Sequence, residues 1–196
     1  MPGPSLIGLT GGIAAGKSEA LRILGELGAE TVSTDALVHE LLGTDEVRDL
    51  LVDRWGPHVA PDGEVERSVV AAVVFERPEE LSWLESILHP LVGERVREWT
   101  EQLPPDAEVG VVEVPLLFEG TMASSFDATI AIVADDDDRA VRAAARGTGD
   151  LEARSGRQLS QEEKAARATH VIENNGSVSD LERELARLLP ELTGPR

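Results

Sequence analysis

Residues 5–18 read SLIGLTGGIAAGKS. The apolar run Ser5–Thr10 ends in glycines, and the amphipathic stretch Ser18–Leu27 follows with Leu21, Leu24 and Leu27 at helical spacing. That pattern is a strand buried on both faces, a glycine turn and a helix, the first half of a βαβ unit. Across the turn Gly11, Gly12, Ile13, Ala14, Ala15, Gly16, Lys17 and Ser18 satisfy G-x-x-x-x-G-K-[ST], in the strand-to-helix context where that spacing has a mechanism. The glycine-rich backbone points successive N–H groups inward as an anion nest, and the helix adds its positive end. Lys17 then reaches the β and γ phosphates of a nucleotide, and the Ser18 hydroxyl ligates Mg2+. The plainer alternative is a glycine turn whose lysine is only a solvated charge. Against it stands the avoidance of lysine elsewhere: Lys17 and Lys164 are the only lysines among 18 basic residues.

Working outward, Thr31–Thr34, Val109–Val114, Ala128–Ala134 and His170–Glu173 read as further strands separated by helical patterns, so the fold class is α/β with a mainly parallel sheet. The interval from Asp35 to Val109 holds helical patterns and no convincing strand, and it reads as a helical insertion. Within it Pro78 suits a first helical position, and Leu81, Leu84, Ile87, Leu88, Leu91, Val92 and Val96 follow at helical spacing. Pro90 is expected to bend that helix, since proline removes a backbone hydrogen bond and clashes with the preceding turn. Residues 139–167 hold seven basic residues against four acidic ones, the richest arginine stretch of the chain. The expected organisation is a core of residues 1–34, 109–138 and 168–196, a helical region 35–108, and a third helical piece 139–167.

At 196 residues the chain is long enough for one domain with an insertion to bury a core without staples. Zero cysteines exclude disulfides, thiolate metal sites and thiol nucleophiles, and fit a reducing cytosol. With 37 acidic residues and a formal net charge of -19, neither a basic nucleic-acid binder nor a protein held electrostatically on anionic lipid is expected. No apolar run reaches membrane-spanning length and no export signal is read at the N-terminus, so a cytoplasmic protein without nucleic-acid or membrane partners is expected. A monomer or weak homo-oligomer is expected too. The four histidines, His39, His58, His89 and His170, lie at no zinc-ligand spacing.

LTGGIAAGKS at 9–18, VSTDALVHELL at 32–42, DGEVERSVVAAVVF at 62–75, SILHPLV at 86–92, VVEVPLLFE at 111–119 and the arginine-rich stretch ending in EEK at 164 together resemble the dephospho-coenzyme A kinase family. The resemblance covers nearly the whole chain. It implies a three-layer P-loop kinase fold with a helical substrate-binding insertion and an Arg-rich lid at 139–167. The implied reaction carries the γ-phosphoryl group of ATP to the ribose 3'-hydroxyl of dephospho-coenzyme A, with Mg2+ as cofactor. Asp35 is implied as general base, taking the proton of the incoming hydroxyl. From the residues alone, Thr34 or Asp35 is equally an N-cap for the helical pattern 36–42, and one residue can do both. His89 and Pro90 would receive the coenzyme A end of the acceptor, while a lone histidine in an apolar helix is also a common packing residue. Glu113 would ligate Mg2+ directly, contact it through water or contact the acceptor, or simply cap a strand end. Pro115, Leu116, Leu117, Phe118 and Glu119 would wall the acceptor site or line the core. Arg146 and Arg154 are the choices for phosphate contacts, with a solvated helix of i,i+4 charge pairs as the alternative. Asn174 and Gly176 match the loop packed near the adenine.

Some positions depart from the family pattern. Glu19 stands where threonine is usual and would repel the α-phosphate unless turned outward, so a raised KM for ATP is expected. Ala14 and Ala15 replace a Gly-Ser pair, Ser33 and His39 replace an aspartate and an arginine, and the lid is about three residues shorter than the resemblance implies between Arg146 and Arg154. Two other readings remain open in the sequence: a different small-molecule or nucleoside kinase on the same scaffold, and a nucleotide-binding regulator that lost transfer chemistry. The acidic, lysine-poor surface fits either adaptation to high salt or a coding bias against lysine.

Overall fold

In the computed structural model, which describes residues 3–145 and 158–193, five parallel strands form one sheet in the order β2-β3-β1-β4-β5. They are β1 Ser5–Gly11, β2 Glu30–Ser33, β3 Val109–Glu113, β4 Ala128–Val133 and β5 His170–Glu173. The two most apolar neighbours flank β1, with Ser5 to Leu9 in register with Val109 to Glu113, and Ile7 to Gly11 in register with Ala128 to Ile132. β1 is buried from Ile7 to Gly11, side chains of both faces included, which is why SLIGLT shows no alternation. The described helices are α1 Lys17–Glu26, α2 Thr34–Leu42, α3 Asp45–Trp55, α4 Arg67–Glu76, α5 Pro78–Glu101, α6 Asp136–Ala145, α7 Gln161–Arg167 and α8 Val178–Leu192. None is long and apolar enough to cross a membrane.

The chain divides into two compact units, residues 1–33 with 102–196, and residues 34–101. In the first, Ile7, Leu9, Ile130 and Ile132 of the sheet pack with Ile23 and Leu24 of α1 and with Leu181, Leu185, Leu188 and Leu192 of α8. The α8 residues recur every three to four positions, the stripe that lets a helix lie on a sheet. Burying each such side chain contributes about 1.5–3 kcal/mol. The second unit is all helical. Its long helix α5 turns Leu84, Leu88, Val92 and Val96 inward at a spacing of four.

Several boundaries differ from expectation by one residue: β1 runs on to Gly11, while β3 and β4 stop at Glu113 and Val133. β2 runs from Glu30 to Ser33, and Thr34, expected as its last residue, is instead the first residue of α2. Asp136, Asp137 and Asp138, placed in the core before the arginine-rich piece, supply the first turn of α6, where carboxylates complement the helix dipole. Pro90 lies inside α5, which runs unbroken through it from Pro78 to Glu101.

Candidate active site

The phosphate-binding motif sits where β1, the middle strand, gives way to α1. Two glycines are required there on steric grounds. A Cβ on Gly11, at φ 153°, would come within 2.1 Å of the Ile132 carbonyl of the neighbouring strand. One on Gly16, at φ 107°, would come within 2.3 Å of the Asn174 amide nitrogen. Gly16 is also the residue before α1, and it caps the helix with no side-chain hydrogen bond. The first-turn N–H groups of a helix have no intrahelical acceptor, so this end is built to receive an anion. Ala14 holds a left-handed conformation at φ 59°. A residue with a Cβ pays about 1–2 kcal/mol for that, so the nest forms here without the glycine and at a cost in strain.

The loop is braced from outside by Arg139 and Arg142, which the sequence did not single out, and by Asn174, which it did. Arg139 Nε donates to the Ile13 carbonyl at 2.9 Å, and Arg142 donates to the carbonyls of Ala15 at 3.4 Å and Asn174 at 2.8 Å. The Asn174 amide also donates to Ala15 O at 2.8 Å, and its backbone N–H donates to Val133 O at 2.8 Å. Asn174 is thus buried and committed to the loop's backbone. Lys17 Nζ lies across the loop, donating to the carbonyls of Gly11 at 3.2 Å and Gly12 at 2.9 Å. Ser18 is exposed in the first turn of α1. Glu19 is turned outward into an ion pair with Arg22 at 2.7 Å, the arrangement in which it escapes repulsion from an α-phosphate. Gly176 follows Asn174 in the loop before α8, with the Asp180 carboxylate 2.7 Å from where its Cβ would be.

Next to this strand, Glu113 is buried at the end of β3, in register with Leu9 of β1 and Ser33 of β2. The turn after it is part core and part surface. Leu117 is fully buried, whereas Pro115 and Leu116 are half-buried. Lys164, singled out by its rarity and lying in the arginine-rich stretch expected as a lid, is fully buried, pairing with Glu119 Oε1 at 3.2 Å and donating to the Pro115 carbonyl at 2.6 Å. Its rarity signalled importance, but no sequence feature named its partner.

In the helical unit, Asp35 is exposed as the second residue of α2, two residues beyond the carboxyl end of β2. It lies inside the first turn and not before it, so the N-cap position falls to the residue preceding Thr34. His89 and Pro90 are both exposed on α5. Arg146 and Arg154 lie outside the described residues. Among the described residues no group of three or more His, Asp or Glu could hold a metal. The Ser18 hydroxyl in the first turn of α1 and the buried Glu113 carboxylate at the end of β3 are oxygen donors of the kind Mg2+ takes.

Comparison with known proteins follows the same lines. The dephospho-CoA kinase family model matches residues 5–180. A dephospho-CoA kinase of Protochlamydia amoebophila is 38% identical over 193 residues, covering 95% of each chain. A solved structure from Thermus thermophilus, 35% identical, superposes with a TM-score of 0.82 over 98% of this chain and 100% of that one. A dephospho-CoA kinase structure from Campylobacter jejuni has the same fold, with a TM-score of 0.68 at 24% identity over 96% of this chain and 97% of its own.

Proposed function

The chain belongs to the dephospho-CoA kinase family, catalysing ATP-dependent phosphorylation of dephospho-CoA in CoA biosynthesis, and we propose that it does so with Asp35 as general base and Ser18 as the protein ligand of Mg2+. The observation that carries this reading is the braced loop 11–18, with an uncapped helix end, Lys17 and Ser18 assembled at one point. Neither another small-molecule kinase nor an inactive regulator is favoured by the relatives.

In the proposed mechanism the loop's N–H groups and Lys17 hold the β and γ phosphates, and Arg146 and Arg154 add positive charge against the transferring group. Mg2+ would neutralise charge on the phosphate oxygens. The acceptor's ribose 3'-oxygen forms its bond to the γ-phosphorus as the bond to the β–γ bridging oxygen breaks. Asp35 takes the hydroxyl proton, and ADP leaves with the bridging oxygen's electron pair. Glu113 contributes a water-mediated metal contact or an acceptor contact, and Pro115, Leu116 and Leu117 wall the acceptor. His89 and Pro90 meet its coenzyme A end, and Asn174 with Gly176 borders the nucleotide. A cytoplasmic location belongs to the same proposal, supported by a cysteine-free sequence.

ADP release measured across a panel of dephospho-CoA, nucleosides, nucleotides and shikimate-like alcohols tests the substrate assignment. Stimulation by dephospho-CoA above all others is expected. Stimulation by another alcohol, with none by dephospho-CoA, contradicts it.

A further inference from the structure

A fully buried lysine is costly, because an ammonium loses its hydration and regains only what its new partners return. Lys164 is in that position, and its partners all lie on one turn. Its Nζ donates to Pro115 O at 2.6 Å and pairs with Glu119 Oε1 at 3.2 Å. Nearby bonds hold the same turn: Leu159 N–H donates to Glu119 Oε1 at 2.8 Å, and Arg167 donates to Phe118 O at 3.2 Å. The Pro115 carbonyl has a second donor, the hydroxyl of fully buried Thr10 at 3.3 Å. Thr10 is the residue immediately before Gly11, where the phosphate loop begins. One carbonyl oxygen therefore joins the strand that enters the phosphate loop, the turn that leaves β3 after Glu113, and helix α7.

An apolar side chain would fill this space without the desolvation cost, so stability alone gives no account of the lysine. We infer that Lys164 is a positioning residue of the phosphotransfer site, setting the turn 115–117 against the phosphate loop through the Pro115 carbonyl and so fixing how the acceptor is held. The inference rests on the reading that Pro115–Leu117 wall the acceptor site. Lys164 touches no substrate in this account; it acts on the acceptor through the turn, and ATP, held by the loop and its braces, is left unaffected.

The test is steady-state kinetics on the full chain, with ATP affinity measured separately by calorimetry and folding checked by thermal melts. Lys164→Met is expected to raise the KM for dephospho-CoA by about tenfold or more, the scale of losing a charged hydrogen bond, with the ATP Kd within about twofold of wild type. Because that variant leaves Glu119 buried without its cation, the double variant Lys164→Met/Glu119→Gln removes both charges together. It is expected to recover the melting temperature while keeping the raised acceptor KM. Thr10→Val strips the other donor from Pro115 O without touching the ion pair, and is expected to raise the acceptor KM by about threefold. Recovery of acceptor KM together with stability in the double variant overturns the inference, as does a parallel loss of ATP affinity, or an unchanged acceptor KM in Thr10→Val. Leu116→Ala separates this outcome from failure of the underlying reading. If it leaves the acceptor KM unchanged, the wall itself is misplaced; if it raises the KM while the Lys164 and Thr10 variants do not, only the positioning role fails.

Discussion

Ala14 is where the phosphate loop is strained, at φ 59° with a Cβ that this region of backbone space disfavours. Replacing it with glycine should therefore not cause the loss usual for alanine-to-glycine. Ala14→Gly is expected to leave stability unchanged or raise it by up to about 1 kcal/mol, the strain relieved being set against glycine's larger loss of freedom. Ala14→Val is expected to lower it by at least about 1 kcal/mol, and urea unfolding of the two variants measures both. The sequence revealed this residue only as a departure from the glycine usual in the family pattern, not as a left-handed turn. Glu19 was legible only as a problem, because whether its carboxylate faced a phosphate or Arg22 depended on a rotamer that spacing does not set. Lys164 was legible by its rarity alone: its partners Pro115 and Glu119 are distant along the chain, and no local pattern encodes a pairing made by the sheet's connectivity.

Strands and helices were read more surely than single side chains, for a physical reason. β1, β3 and β4 are buried along most of their length, so their apolar runs announce them, although β3 and β4 each stop one residue short of the expected Val114 and Ala134; β2, half-buried throughout, lies one residue earlier than expected and ends before Thr34. That one-residue shift moved Asp35 from a capping position into the first turn of α2. In the helical unit, the contacts that tie α3 to α5 were not visible in the sequence at all. Glu80 of α5 accepts bonds from Arg54 at 3.0 Å and the Trp55 indole at 2.8 Å, and Trp83 packs edge-on to Trp55 with ring centroids 5.1 Å apart. The Arg54 guanidinium, and after it the Trp55 N–H, hold the Glu80 carboxyl below the usual carboxylate range. A depressed carboxyl stabilises the fold above its ordinary pKa and loses that contribution as pH falls toward the folded-state value. Glu80→Gln is thus expected to melt earlier than wild type near neutral pH, with the gap closing below about pH 4. Tryptophan fluorescence follows this directly, and kcat for the kinase reaction is expected to be unchanged.

The charge of the entire chain, -19, sets an unusual background for a protein whose two substrates are polyanions. Arginines 139 and 142 are spent on the backbone of the phosphate loop and Lys164 on a buried turn, so these cations shape the site more than they cover the surface. The composition also makes alkaline behaviour simple: with no tyrosine or cysteine and only two lysines, few side chains titrate between about pH 8 and 11. Burial pushes the Lys164 ammonium below the usual lysine range, opposed by Glu119. Below the folded-state pKa both states carry the charge and the fold bears its desolvation. As pH rises toward the ordinary lysine value the folded state sheds its proton first, so stability rises across that window. The rise is expected in wild type and absent in Lys164→Met/Glu119→Gln, as measured by denaturant midpoints at successive pH values. The central claim, that this chain moves a phosphoryl group from ATP to dephospho-CoA with Asp35 accepting the proton, is tested most directly by ADP release with saturating ATP and dephospho-CoA in wild type and Asp35→Asn side by side. A fall of at least about 100-fold in kcat with ATP affinity retained is the result predicted; full turnover in the variant would contradict it.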